Sequence, residues 1–122
     1  MVLKRGIFKS EWLIYLQHRK IDKPDSKPDF PENYGVEERD KFYKVVSHGK
    51  WPGAIGLDSV IISYDALLGS GDNWEELCLR GMLHCGDSDS TGCIAGSWFG
   101  AFYGFKNVPQ NNYKVEFFIF LF

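Results

Sequence analysis

Apolar residues recur at helical spacing in five separate stretches of the chain. Trp12, Tyr15 and Leu16 fall on one side of residues 11–19, a segment that Ser10 can cap. In residues 36–47, Phe42, Tyr43, Val45 and Val46 provide apolar surface, while Glu37, Glu38 and Asp40 crowd the beginning, where a helix dipole favours negative charge. The other charges of this segment read as a solvated face. Val60, Ile61, Tyr64, Leu67 and Leu68 give a third helix a broad apolar surface; Asp58 or Ser59 starts it and Gly69-Ser70-Gly71 stops it after Leu68. Asp72-Asn73-Trp74-Glu75 has capping-box spacing and opens a fourth helix to about His84, with Trp74, Leu77, Cys78 and Met82 turned inward. Alternating apolar and polar residues are scarce before the last nine positions, so the pattern predicts an all-α chain without a sheet.

The fifth stretch has an unusual pattern. Gly92, Gly96, Gly100 and Gly104 recur every four residues along one face, and Ile94, Trp98, Phe102 and Phe105 crowd the other side. Each glycine costs a helix about 1 kcal/mol relative to alanine, so four together imply close approach of another helix. The segment from Gly92 to Phe105 falls well short of the roughly 20 apolar residues needed to span a membrane, which makes it a core helix. Two connections separate the helices. Residues 21–34 carry Pro24, Pro28 and Pro31 and predict an extended surface loop; residues 48–58 carry Gly49, Pro52, Gly53 and Gly56 and predict a loop around Trp51.

Composition narrows the function classes. The 122 residues are 44% hydrophobic and 25% charged with a net charge of -2, as expected of one domain with a modest core and no basic footprint for nucleic acid or an acidic membrane surface. No secretory signal stands at the start. Cys78, Cys85 and Cys93 match neither a zinc site nor a disulfide framework, which predicts a reducing cytoplasmic setting with the thiols as small buried hydrophobes.

The candidate chemistry lies at Gly86-Asp87-Ser88-Asp89-Ser90-Thr91-Gly92, directly before the glycine-faced helix. Asp87 and Asp89 are two residues apart and would diverge inside a helix, so their convergence requires a helix start near Ser90. A close carboxylate pair stays charged only beside a cation, and oxygen-only ligands select a hard ion, magnesium before calcium. Taken alone, the motif is more often a helix cap in solvent than a metal site. The aspartyl nucleophile of a dehalogenase-like phosphatase is a weaker reading, because residues 80–86 lack the buried strand that must precede it. His84, at the expected helix end, is accounted for by the dipole rather than by catalysis, and Thr91 supports the turn.

Three runs carry a resemblance: Tyr64-Asp65-Ala66-Leu67-Leu68, Trp74-Glu75-Glu76-Leu77-Cys78, and His84-Cys85 leading into the Gly-Asp-Ser-Asp-Ser-Thr motif. Together they resemble the C-terminal part of the ADP-ribosylglycohydrolase family. The run 30–40, with Gly104-Phe105 followed by Val108-Pro109, is most similar to the ADP-ribosylarginine hydrolase branch. The similarity covers about residues 8–113. It implies an all-helical partial domain, a C-terminal fragment of an orthogonal multi-helix fold with about five helices. The implied activity is hydrolysis of the N-glycosidic bond of ADP-ribosylated arginine in proteins, using two magnesium ions. Asp87, Asp89 and Ser90 align with ligand positions, while the family's early acidic cluster falls outside these 122 residues. The loop 48–58 aligns with the loop that contacts ADP-ribose: Trp51, Gly53, Gly56 and Asp58 match it, Gly49, Lys50 and Ile55 stand where small or polar residues are usual, and Leu57 and Val60 replace His and Pro. Cys85 stands where the family has glycine. The resemblance further implies a monomer, and residues 114–122 read as an atypical apolar tail, as in a truncated product or an imperfect gene model. The alternative is an inactive remnant or an ADP-ribose-binding fragment.

Overall fold

A computed structural model describes residues 2–114, with side chains from residue 6 onward. Among the described residues there are five α-helices and no strand: α1 (Val2–His18), α2 (Val36–Val46), α3 (Asp58–Ser70), α4 (Trp74–Gly81) and α5 (Ser88–Tyr103), followed by a single 3-10 turn at Gln110–Asn112. The all-α expectation therefore holds. The tail, from residue 115 on, lies outside the described residues.

The central element is α3, which packs on α2, α4 and α5. Its buried positions include small or polar side chains, Ser59, Ser63 and Ala66, as well as Ile61 and Ile62, and the small ones let neighbouring backbones come close. The Ser63 hydroxyl lies 2.6 Å from the Ser59 carbonyl and 3.0 Å from that of Thr91, tying α3 to α5. Gly81, Ala66 and Ala95 meet where α3, α4 and α5 converge: a Cβ added at Gly81 would sit 3.3 and 3.4 Å from the two alanine methyls. Leu77 and Phe99 complete this core, with Leu67, Trp74 and Val108 packed around it.

The glycine stripe meets another element along only part of its length. Gly92 and Gly96 face Met82, at the end of α4, whereas Gly100 meets nothing and Gly104 is the C-cap at φ 60°. The buried face of α5 is instead Thr91, Gly92, Ala95 and Phe99. Phe102 and Phe105, expected to crowd a packed side, are exposed.

Three boundaries differ from expectation. Ser10 lies within α1, where its hydroxyl donates back to the Ile7 carbonyl at 2.9 Å instead of capping. The cap of α4 is Asn73, which accepts from the Glu76 amide, one position later than the expected box. The same helix stops at Gly81, so His84 belongs to the following turn and not to a helix end.

The connection after α1 is tied down rather than lying free on the surface. Arg19, 1% exposed, forms an ion pair with the fully buried Asp65 of α3 at 2.7 Å. Its guanidinium is enclosed by the rings of Phe30, Tyr34 and Phe42 at 4.2, 4.8 and 4.3 Å.

Candidate functional site

Asp87 is the N-cap of α5, with φ -77° and ψ 78°. This backbone folds its side chain over the first turn, where it accepts the Ser90 amide at 3.4 Å and the Ser90 hydroxyl at 3.1 Å. The helix thus begins at Ser88, two residues earlier than expected, and Asp89 lies inside its first turn. A hydrogen bond with the Asp89 carboxyl is the largest cause holding Asp87 below its ordinary value of 3.8; the Ser90 hydroxyl and amide add to it, and burial opposes them.

The turn is braced from beneath. Thr91 is fully buried, and its hydroxyl donates to the Gly81 carbonyl at 2.7 Å. Its remaining oxygen capacity faces His84 Nε2, also at 2.7 Å. Because His84 Nδ1 accepts the Gly86 amide at 3.0 Å, the imidazole proton sits on Nε2 and is donated to Thr91. Burial lowers the His84 pKa from 6.5, ahead of the raising effect of Asp40 and Asp87. Thr91 therefore supports the turn, as expected, and His84 is a neutral brace beside it.

One wall of the site comes from the loop before α3. The Pro52 carbonyl accepts the Asp87 amide at 2.7 Å. Gly53, at φ 85°, fits where a Cβ would lie 2.7 Å from Thr91 Cγ2 and 3.1 Å from the Asp87 carbonyl, and a Cβ on Gly86 would overlap the Pro52 carbonyl. The buried Asp58 carboxylate, at the first residue of α3, accepts the amides of Gly53 and Ile55, each at 3.0 Å. Those two amides consequently face inward, away from any phosphate in the cleft.

Between loop and turn lies a cleft of about 490 Å³, lined by residues 53–56 and Ser59 on one side and by Asp89, Ser90, Cys93 and Ile94 on the other. It unites Ile55, Gly56, Asp89 and Ser90 from the expected site residues, and Asp87 adjoins it through its hydrogen bonds with Ser90. Gly49, Lys50 and Trp51 do not line it: Gly49 is an exposed turn residue at φ 74°, Lys50 borders a separate small pocket of about 60 Å³ with Leu57 and Asp58, and Trp51 is 65% exposed.

Sequence reasoning gave Ser59 and Cys93 no part in the site, and Gly86 none beyond its place in the acidic motif. Only Gly86, adjoining Asp87, carried a local signal. The thiols are not buried hydrophobes: Cys78 is half-buried, and Cys85 and Cys93 are exposed. Cys93 is exposed because it lies on the cleft side of α5, and Cys85 because it belongs to the connecting turn. Among the described residues no group of three or more His, Cys, Asp or Glu gathers in metal-ligating geometry, and no helix is long and apolar enough to cross a membrane.

Among the curated proteins similar to this chain are two with ADP-ribosyl hydrolase names. It is 46% identical to an ADP-ribosylhydrolase of Dictyostelium discoideum, ARH1, in a match covering 90% of this chain and 31% of that protein. It is 49% identical, over 45% of its length, to a protein of Acanthamoeba polyphaga mimivirus whose name describes an ADP-ribosyl glycohydrolase, and that match spans 11% of the viral protein. The chain thus spans about a third or less of the curated relatives it matches. The family model described as ADP-ribosylglycohydrolase matches residues 11–115, which include all five helices except the first part of α1. With the match running through both walls of the cleft, this chain belongs to the ADP-ribosylglycohydrolase family.

Proposed function

We propose that the chain carries one side of an ADP-ribosylarginine hydrolase site, acting on the N-glycosidic bond of ADP-ribosylated arginine in proteins. The observation that supports it is the cleft joining residues 53–56 to Asp89 and Ser90. Asp87, Asp89 and Ser90 offer oxygen donors alone, two of them carboxylates at the start of α5, which suits a hard cation such as magnesium. When bound there, magnesium would supply positive charge against which ribose hydroxyls and water are held. The chain's own residues do the rest. Asp87 is held in place by the Ser90 amide and hydroxyl, and Gly56, without a side chain, lets the sugar-phosphate portion approach the backbone. Ile55 and Ile94 present apolar surface that displaces water from the reacting end.

A second reading, ADP-ribose binding without hydrolysis, is favoured by the small donor set. Two carboxylates and a hydroxyl from a single turn are the ligands this chain contributes, so the chain alone is expected to bind and not to turn over.

Calorimetry with ADP-ribose, with and without magnesium, tests both readings, alongside an assay for ADP-ribose released from modified arginine. Asp89→Asn is the informative variant, since Asp87 also caps α5. Magnesium-dependent binding that weakens about tenfold or more in Asp89→Asn is the expected result. Affinity indifferent to magnesium and to that substitution would refute the metal assignment, and turnover by the chain alone would refute the binding-only reading.

A further inference from the structure

Asp58 is a buried carboxylate, 3% exposed, that the proposed reaction does not use. No Lys, Arg or His pairs with it among the described residues. Its charge is held by the amides of Gly53 and Ile55, each at 3.0 Å, and by its place at the first residue of α3, where unpaired helix amides favour an anion. The two amides belong to the loop that forms one wall of the cleft. The other wall is fastened to the same loop from its far side. The Asp87 amide donates to the Pro52 carbonyl, and Gly53 packs against Thr91 and the Asp87 backbone. Asp58 is thus the anchor from which α3 holds the loop, and the loop in turn holds the acidic turn.

We propose that Asp58 is a positioning residue that sets the spacing between the loop and the Asp87–Ser90 turn, and through it the affinity of the cleft for ADP-ribose. It touches neither ligand nor metal position. This rests on the reading of the cleft as an ADP-ribose site, and the test separates the two. Asp58→Asn replaces one accepting oxygen with an amide group that confronts a backbone N–H, so one loop amide loses its partner. Asp58→Ser retains a single short acceptor and serves as the second variant.

The deciding readout is amide hydrogen exchange at Asp87, a group that Asp58 never contacts. Both variants are expected to speed exchange at Gly53 or Ile55 and also at Asp87, by about tenfold or more, and to weaken ADP-ribose binding by a similar factor. Amides in the α3–α4 core, such as Leu77, should exchange at the wild-type rate, which distinguishes loop release from general unfolding. If Asp87 exchange is unchanged while Gly53 and Ile55 are released, Asp58 is only a local cap and the proposal is wrong. A wild-type chain that takes up no ADP-ribose would sink the functional reading and the affinity claim with it, while the exchange data would still decide whether Asp58 couples loop to turn.

Discussion

Replacing Asp65 should destabilise the chain more than almost any other single change. Its carboxylate is fully buried and accepts four donors: Arg19 Nε at 2.7 Å and the Tyr15 hydroxyl at 2.8 Å on one oxygen, a second Arg19 nitrogen at 3.1 Å and the Tyr34 hydroxyl at 2.9 Å on the other. Asp65→Asn keeps the shape but leaves the Arg19 guanidinium, itself 1% exposed, without its counter-charge. It also turns an NH2 toward two existing donors. Breaking a buried pair from one side costs about 3–5 kcal/mol, a large part of the roughly 5–15 kcal/mol that holds a typical domain together. The three aromatic rings around Arg19 recover little of this, since a cation–π contact contributes about 0.5–2 kcal/mol and exists in both variants. The assay is urea unfolding followed by circular dichroism for wild type, Asp65→Asn, Arg19→Met and the double variant. Because the double variant leaves no unpaired charge, it should be more stable than the sum of the single losses implies, by about 2 kcal/mol or more. Single losses below about 1 kcal/mol, or strict additivity, would show that Arg19 and Asp65 do not act as a unit.

Two glycine substitutions should move stability in opposite directions. Gly100→Ala meets open space on an exposed helical face and is expected to stabilise by about 0.5–1 kcal/mol in thermal melts. Gly86→Ala drives a methyl group into the Pro52 carbonyl and should cost about 1–3 kcal/mol while loosening the Asp87 amide in exchange measurements. Burial first, and then the Asp65 charge, raise the phenol pKa values of Tyr15, Tyr34 and Tyr43 well above the ordinary 10.0. Their contribution to stability is therefore complete below pH 10.0 and is lost as pH rises from there toward the folded values, since the unfolded chain releases these protons first. Stability measured against pH, with tyrosinate absorbance in parallel, should decline above pH 10.0 in step with the appearance of tyrosinate; phenols that ionise in the folded chain at their ordinary value would contradict it.

What could be read from the residues was local. Periodicity marked five helices, and Gly69-Ser70-Gly71 and the Asp-rich turn marked ends close to those observed. A serine's preference for a cap does not distinguish it from one that bonds back within a helix, which is why α1 extends nine residues before the expected start at Glu11. The four-residue glycine period suggested one continuous contact, but α4 is only eight residues long and ends beside Gly92 and Gly96, leaving Gly100 without a neighbour. The Arg19–Asp65 pair spans 46 residues and was not legible at all. Phe30 and Tyr34, which close over it, lie in a proline-rich run whose composition signals only solvent. For the candidate site, the motif located the acidic turn, and its opposite wall was also anticipated, yet the orientation of the loop was not. Nothing in the order of Gly53, Ile55 and Asp58 says that the amides turn toward the aspartate.

The enclosure of Arg19 sets two neighbouring peptide bonds apart in their susceptibility to trypsin. Lys20, at φ 58°, extends into solvent and can enter a protease pocket, whereas the guanidinium one residue earlier is sheathed in aromatic carbon and chelated by carboxylate. Scission after Arg19 thus requires the α1–α3 junction to come apart, while scission after Lys20 requires only local fraying of the loop that follows. The ratio of the two fragments, which differ by one lysine residue, is a built-in gauge of how often that junction opens.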